Sequence, residues 1–281
     1  MSDIELLTRR HSLTASRHTG TVLAGAIAAV LVLCAVAPGL MAPADPLAVN
    51  PHDSFAAPSI AHLFGTDESG RDVLSRVIFG ARDSLTIGAA ATGIGLIGGT
   101  VLGIIGGLLG RWAHAVVGRV IEVFFAFPGL LLALLVIVVA GPGPMSVIIA
   151  VGLSTAPGYA RIIQSRILQV RVSPYVEAAR VLGRTPLRIL TRTIAPNTAA
   201  PLVVLATLGI GQAIVWAASL SYLGLGAQPP SPEWGAMLNN GRTYLQTAPW
   251  MTIMPGLVIL AATMSFTVLG RALSRRTEGR A

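Results

Sequence analysis

Leu85-Thr-Ile-Gly-Ala-Ala-Ala-Thr-Gly-Ile-Gly-Leu-Ile-Gly-Gly-Thr-Val-Leu-Gly-Ile-Ile-Gly-Gly-Leu-Leu109 runs its whole length without a charged side chain. As a helix it would extend about 37 Å, enough to cross the roughly 30 Å hydrocarbon core of a bilayer. Its glycines are periodic: Gly95, Gly99, Gly103 and Gly107 fall four apart, and Gly106 with Gly110 repeats the interval. Such a face offers only hydrogen atoms where a neighbouring helix approaches, so a membrane helix packed closely on another is expected.

Comparable apolar runs lie on both sides. They cover Thr21–Leu40, Val120–Ala140, Met145–Ile163, Ala199–Leu223 and Trp250–Leu269. The 281 residues are 53% hydrophobic and only 11% charged, against about a quarter charged in soluble domains. An all-α membrane protein of six transmembrane helices is expected, with residues 1–20 as a tail and 21–281 as one transmembrane domain. The first run resembles a signal peptide at Ala35-Val36-Ala37 but is longer than a signal core and precedes further spans, so a retained helix is expected. Cys34 is the single cysteine, which excludes an internal disulfide and a Cys-rich metal site.

Charge orders these spans. Arginines crowd the N-terminal tail, the 111–119 connection, the 161–192 connection and the tail after Gly270. The Gly141–Pro144 turn is uncharged, Leu223–Trp250 holds only Glu233 and Arg242, and Ala42–Asp83 has three arginines against six acids. Rich and poor segments alternate, as six spans with both termini in the cytoplasm require. The formal charge of +8 is thereby assigned to membrane orientation and anionic lipid, with no nucleic-acid role.

The longest basic connection, between spans four and five, reads as helix, turn, helix. Ser173 and Pro174 suit an N-cap and first helical position, Glu177 favours the positive end of the dipole, and Gly183 suits a left-handed stop. Thr185 and Pro186 restart a helix expected to end near Pro196. Tyr175, Ala178, Ala179 and Leu182 share one face, small in its middle. That face suits either a partner's groove or the lipid headgroups, with Arg180, Arg184 and Arg188 as anchors.

Glu177-Ala178-Ala179, Gly183 and Ile194-Ala195-Pro196 resemble the EAA loop of permeases from binding-protein-dependent ABC importers, with Ala195 where Leu is usual. The stretch from Phe64 to Arg82, the stretch from Ser221 to Gly235 and Thr247-Ala-Pro-Trp250 are similar to segments of the C-type permease in the dipeptide, oligopeptide and nickel branch. Thr267 and Arg271 depart from that family's usual Asn and Asp. The resemblance implies a bacterial inner-membrane subunit forming half of a pathway for di- or oligopeptides, or alternatively nickel. It implies ATPase coupling through Tyr175, Glu177, Ala178, Ala179, Leu182 and Gly183. It further implies a homologous second permease, two ATP-binding-cassette subunits or domains carrying ATP and Mg, and an extracytoplasmic binding protein.

No catalytic constellation accompanies these features. Glu122 is the one acid within an apolar run, and Arg119 three residues earlier suits an interfacial ion pair. No metal-ligand spacing or Walker lysine appears, and Gly224 and Gly226 lack the Lys-Ser/Thr pair of a phosphate loop. A permease without enzymatic chemistry, metal or cofactor of its own is expected; an ion-coupled secondary transporter would place a charged group near mid-membrane. Ser154, Tyr159, Gln212, Ser219 and Ser221 are candidate pathway-lining residues or helix–helix hydrogen-bonding groups. Asp72, Val73, Arg76 and Val77 read as a short interfacial helix, and Trp234 and Trp250 as interfacial anchors.

Overall fold

The computed structural model describes residues 3–278, and among them the regular elements are helices, with one isolated bridge between Thr66 and Asp72. In chain order they are α1 (Asp3–Val36), α2 (Pro38–Met41), α3 (Val73–Leu108), α4 (Arg111–Phe125), α5 (Gly129–Ala140), α6 (Pro144–Arg171) and α7 (Pro174–Val181). Then follow α8 (Pro186–Ile189), a π turn (Leu190–Ile194), α9 (Ala195–Tyr222), α10 (Trp234–Gly241) and α11 (Trp250–Glu278). Among the described residues five helices are long and apolar enough to cross a bilayer: 19–36 of α1, α3, α6, 201–222 of α9 and 250–275 of α11. The pair α4 and α5 makes a sixth span if its 90° bend is counted as one crossing.

The glycine face of α3 meets α6, and the two helices run parallel. A Cβ at Gly99 would lie 2.6 Å from the Tyr159 Cβ and 2.9 Å from the Ala156 carbonyl oxygen; one at Gly103 would lie 2.8 Å from Ile163, and one at Gly107 2.7 Å from Ile167. The contact is reciprocal, since a Cβ at Gly152 on α6 would meet Ile94 at 2.7 Å. No side chain fits between these backbones. Gly110 does not continue the series: it sits at φ +93 in open space as the turn into α4.

Antiparallel partners close the bundle. Gly88 and Thr92 of α3 face Ile214 and Gly209 of α9, Gly211 of α9 faces Thr263 and Phe266 of α11, and Gly25 of α1 approaches Leu269. The start of α1, the end of α3, the end of α6, the start of α9 and the end of α11 therefore share one end of the bundle. The span expected over 145–163 falls inside a longer helix, the one expected over 199–223 starts within α9 and ends one residue past it, and α1 is continuous from residue 3 into its apolar span from residue 19.

Three local readings are corrected. Val73, Arg76 and Val77 form no separate interfacial helix; they are the first turns of α3, whose 36 residues extend about 54 Å. Asp72 caps that helix, its Oδ2 accepting from the Ser75 N–H at 2.7 Å and the Ser75 hydroxyl at 2.8 Å. The run 120–140 is not one straight span. Pro128 lacks an N–H and disfavours helical geometry at Phe127, and the chain turns between α4 and α5 there. Nor does a helix end near Pro196: the π turn carries the chain into α9, with the Ala195 N–H donating to the Leu190 carbonyl.

At the opposite end the polar segments 42–72 and 223–249 form a cap. Arg76 is 2% exposed, with its Nε 3.6 Å from Asp67 Oδ2 and its Nη atoms 3.4 Å from the carbonyls of Pro46, Pro230 and Ser231. Trp234, expected as an interfacial anchor, is fully buried and donates from Nε1 to the Val77 carbonyl at 2.9 Å. Trp250 is half-buried and donates to the Thr66 carbonyl at 2.9 Å. Glu233 caps α10 by accepting from the N–H groups of Gly235 and Ala236; burial pushes its carboxyl upward against the pull of those two donors.

Overpacking the α3–α6 contact is expected to cost about 1–3 kcal/mol. Gly99→Ala should lower the thermal unfolding midpoint of the purified chain. Gly93→Ala, with nothing within 4 Å of its Cβ position, should leave that midpoint unchanged or slightly raised. Equal midpoints for the two variants would contradict the contact as described.

Candidate functional site

Helix α7 begins where sequence places it, with Ser173 in extended geometry before Pro174. Its hydroxyl turns back to the Val170 carbonyl instead of capping the new helix. Gly183 ends the helix at φ +70, with its N–H on the Arg180 carbonyl (2.9 Å) and the Arg184 N–H on that of Ala179 (3.1 Å). These paired bonds form a Schellman cap, which needs a left-handed residue at Gly183.

The helix has two faces, and they divide the expected coupling residues. Val176 is 0% and Ala179 5% exposed, packed with Ile163 and Ile167 of α6, Ile189 of α8 and Ile194 of the π turn. Ala179 therefore belongs to the inner face, which corrects its placement on the outer one. Tyr175, Ala178 and Leu182 point away from the bundle, with Glu177 and Gly183 also exposed. Val181, 84% exposed, joins this face and was not singled out from sequence, although it follows Ala178 by three residues.

A second feature opens between α4, α5, α6 and α9: a cavity of about 450 Å³ lined by Ser154, Tyr159 and Gln212 together with Phe124, Phe125, Phe127, Leu208 and Trp216. Three of the five expected lining residues are thus brought together. Ser219 and Ser221 are not among the lining residues. The Ser219 hydroxyl bonds the Val215 carbonyl at 2.8 Å, while Ser221 is 1% exposed and packed against Gly226 and Gly235.

The Ser154 hydroxyl is spent on the Ala150 carbonyl at 2.6 Å and the Thr155 hydroxyl on that of Val151 at 3.0 Å, so neither offers its proton to a solute. The wall is aromatic and aliphatic with few polar atoms, and among the described residues no charged side chain lines it. The aromatic residues escape sequence reading because an apolar side chain in a span looks the same facing lipid, protein or a cavity. At the wall's edge the Arg161 guanidinium lies 5.5 Å from the centre of the Phe125 ring. Glu122 is held outside, paired with Arg119 at 2.9 Å as expected.

Neighbouring alanines of opposite exposure make a direct test. Ala179→Leu should overpack the cluster beneath α7 by about 1–3 kcal/mol and speed tryptic cleavage at Arg180 and Arg184 in the purified chain. Ala178→Leu should leave the cleavage rate within about twofold, since exposed substitutions usually change stability by under about 0.5 kcal/mol.

A family model described as the binding-protein-dependent transport system inner membrane component matches residues 99–279. The dipeptide transport system permease protein DppC of Alkalihalophilus pseudofirmus is 39% identical over 242 residues, 86% of this chain and 80% of that protein. The glutathione transport system permease protein GsiD of Pectobacterium atrosepticum is 42% identical over 216 residues, 77% of this chain and 72% of that protein. The di/tripeptide transport system permease protein DppC of Pseudomonas aeruginosa is 38% identical over 250 residues, 87% and 82% of the two chains. Among solved structures, an inward-facing MetNI methionine ABC transporter chain aligns with a TM-score of 0.59 at 18% identity, covering 73% of this chain and 97% of that one. With two long helices packed in parallel and a relative 39% identical over most of its length, this chain belongs to the inner-membrane components of binding-protein-dependent transport systems, as a permease subunit of an ABC importer.

Proposed function

We propose that this permease forms half of a translocation pathway for short peptides and that α7 couples the pathway to separate ATP-hydrolysing subunits. The observation that carries the substrate class is the 39% identity, over 86% of this chain, to a permease named for dipeptides. The other half of the pathway is a related permease, solute arrives on an extracytoplasmic binding protein, and ATP with Mg is held by two cassette subunits or domains. The arginine-rich end, which carries both chain termini and α7, faces the cytoplasm.

Motion reaches the cavity through packed side chains. A groove on an ATPase subunit receives the outer face of α7, at Tyr175, Ala178, Leu182 and the flanking Glu177 and Gly183. On its inner face Val176 and Ala179 press on Ile163 and Ile167 of α6. The same helix carries Ser154 and Tyr159 into the cavity wall and is held to α3 without intervening side chains. A push on α7 therefore moves the α3–α6 pair as a unit. Solute passing the wall meets the amide of Gln212 and aromatic surface, with the Arg161 guanidinium only at the wall's edge.

The test is uptake of labelled dipeptide, longer peptide and nickel in cells whose own copy is deleted and restored as wild type or Gly183→Asp. An aspartate tolerates the left-handed conformation better than most residues, and the position has nothing within 4 Å, so the variant chain should insert normally. Peptide uptake is expected with wild type and loss of at least tenfold with Gly183→Asp. Nickel rescue without peptide rescue would replace the substrate assignment, and full peptide uptake by the variant would remove Gly183 from the coupling role.

A further inference from the structure

Beside α7, on the side turned toward the bundle, a second cavity of about 530 Å³ is lined by Leu108, Arg171, Arg180, Arg184, Ile189, Leu190 and Ile194. It opens where α3 and α6 end, at the level where apolar helix gives way to polar loop. Two of its arginines are tied to the backbone. Arg171 donates to the Gly107 carbonyl at 3.3 Å and Arg180 to the Arg171 carbonyl at 3.5 Å. None of the three is in an ion pair among the described residues, and Glu177 is the only acid between Arg161 and Asn197.

Three uncompensated cations around one concavity repel one another and call for an anion. The anion is narrowed by the rest of the wall, where Leu108, Leu190 and the buried Ile189 and Ile194 supply aliphatic surface beside the guanidinium groups. A free phosphate would satisfy the arginines and leave that surface wet. An acidic segment of an ATPase subunit would approach the outer face of α7, whereas the cavity lies against the ends of α3 and α6. A molecule with a phosphate head and an acyl chain satisfies both parts.

We propose that this cavity is a binding site for an anionic glycerophospholipid, whose phosphate sits among Arg171, Arg180 and Arg184 and whose chain lies along Leu108 and the aliphatic wall. Bound there, the lipid joins α7 and the π turn to the membrane surface. The inference rests on the functional reading above only in placing this end at the cytoplasmic leaflet. Its test is lipid binding, so a failed peptide-uptake result would leave it standing.

The test is native mass spectrometry of the assembled transporter in detergent, titrated with phosphatidylglycerol or phosphatidylcholine. Phosphatidylglycerol should bind more tightly, and Arg171→Gln with Arg184→Gln should weaken it about 25-fold, roughly fivefold for each charge removed. Lysine at both positions should restore binding to within a few-fold, showing that charge and not folding was lost. Glycerol 1-phosphate should not compete at concentrations equal to the lipid. Equal retention of the two lipids, or no change in the glutamine variant, would overturn the site. Competition by glycerol 1-phosphate would replace the lipid by a soluble phosphate, and loss of the ATPase subunits with lipid retained would reassign the cavity to the partner interface. Should the glutamine variant fail to assemble, the lipid preference and the competition on wild type still decide the matter.

Discussion

The backbone contact between α3 and α6 is the constraint on which the other features depend. Within a bilayer the hydrophobic effect does not press helices together, because lipid tails are as apolar as leucine. What remains is close packing, and α3 secures it by placing glycines at 95, 99, 103 and 107 against Tyr159, Ala160, Ile163 and Ile167. Parallel neighbours require the intervening chain to return across the bundle, which α4 and α5 do with their turn at Pro128. The cavity exists because that return is bent: α5 packs on α6, while Phe124, Phe125 and Phe127 at the bend leave space before Trp216 of α9.

Each end of the α3–α6 pair is finished differently. At one end, the cap holds the first turns of α3 through the buried Arg76 guanidinium and the Trp234 indole on the Val77 carbonyl. Arg76 gathers carbonyls from segments 30 and 154 residues away in sequence and lies beside Asp67, so its desolvation is offset by charge and by several acceptors. At the other end the pair is finished by Val176, Ala179, Ile189 and Ile194, a small apolar cluster under α7. The first arrangement is polar and hydrogen-bonded; the second is aliphatic, with Ile194 of the π turn in its cluster.

The existence of spans was legible because lipid as solvent admits only long apolar helices, and the glycine interval was legible because close approach has no other cheap chemistry. The boundaries were not. Arg76 and Asp72 look like the polar side of an interfacial helix until the segments 42–72 and 223–249 fold over them, which no local pattern foretells. Trp234 failed for the same reason: an indole suits a headgroup layer and a buried hydrogen bond to Val77 equally well in sequence. Pro128 and Pro157 carry the same residue type and opposite outcomes, one a break and one inside α6. Only neighbouring helices decide whether the freed carbonyls are tolerated. The candidate cavity was half legible, since polar residues in spans attract attention while its aromatic wall does not.

The pair Ala178 and Ala179 shows what the loop motif accomplishes physically. A helix of two turns lying on a bundle has room for one inward row and one outward row, and adjacent residues about 100° apart fall on different rows. Small size matters on both rows, for different reasons. Inward, Ala179 lets the α7 backbone settle onto Ile163 and Ile167; outward, Ala178 leaves a low point between the larger Tyr175 and Leu182. Gly183 then stops the helix with two backbone hydrogen bonds and no side chain, so the outward surface ends cleanly. The coupling proposed for α7 needs a packed attachment on one side and an open surface on the other, and these consecutive residues supply one each.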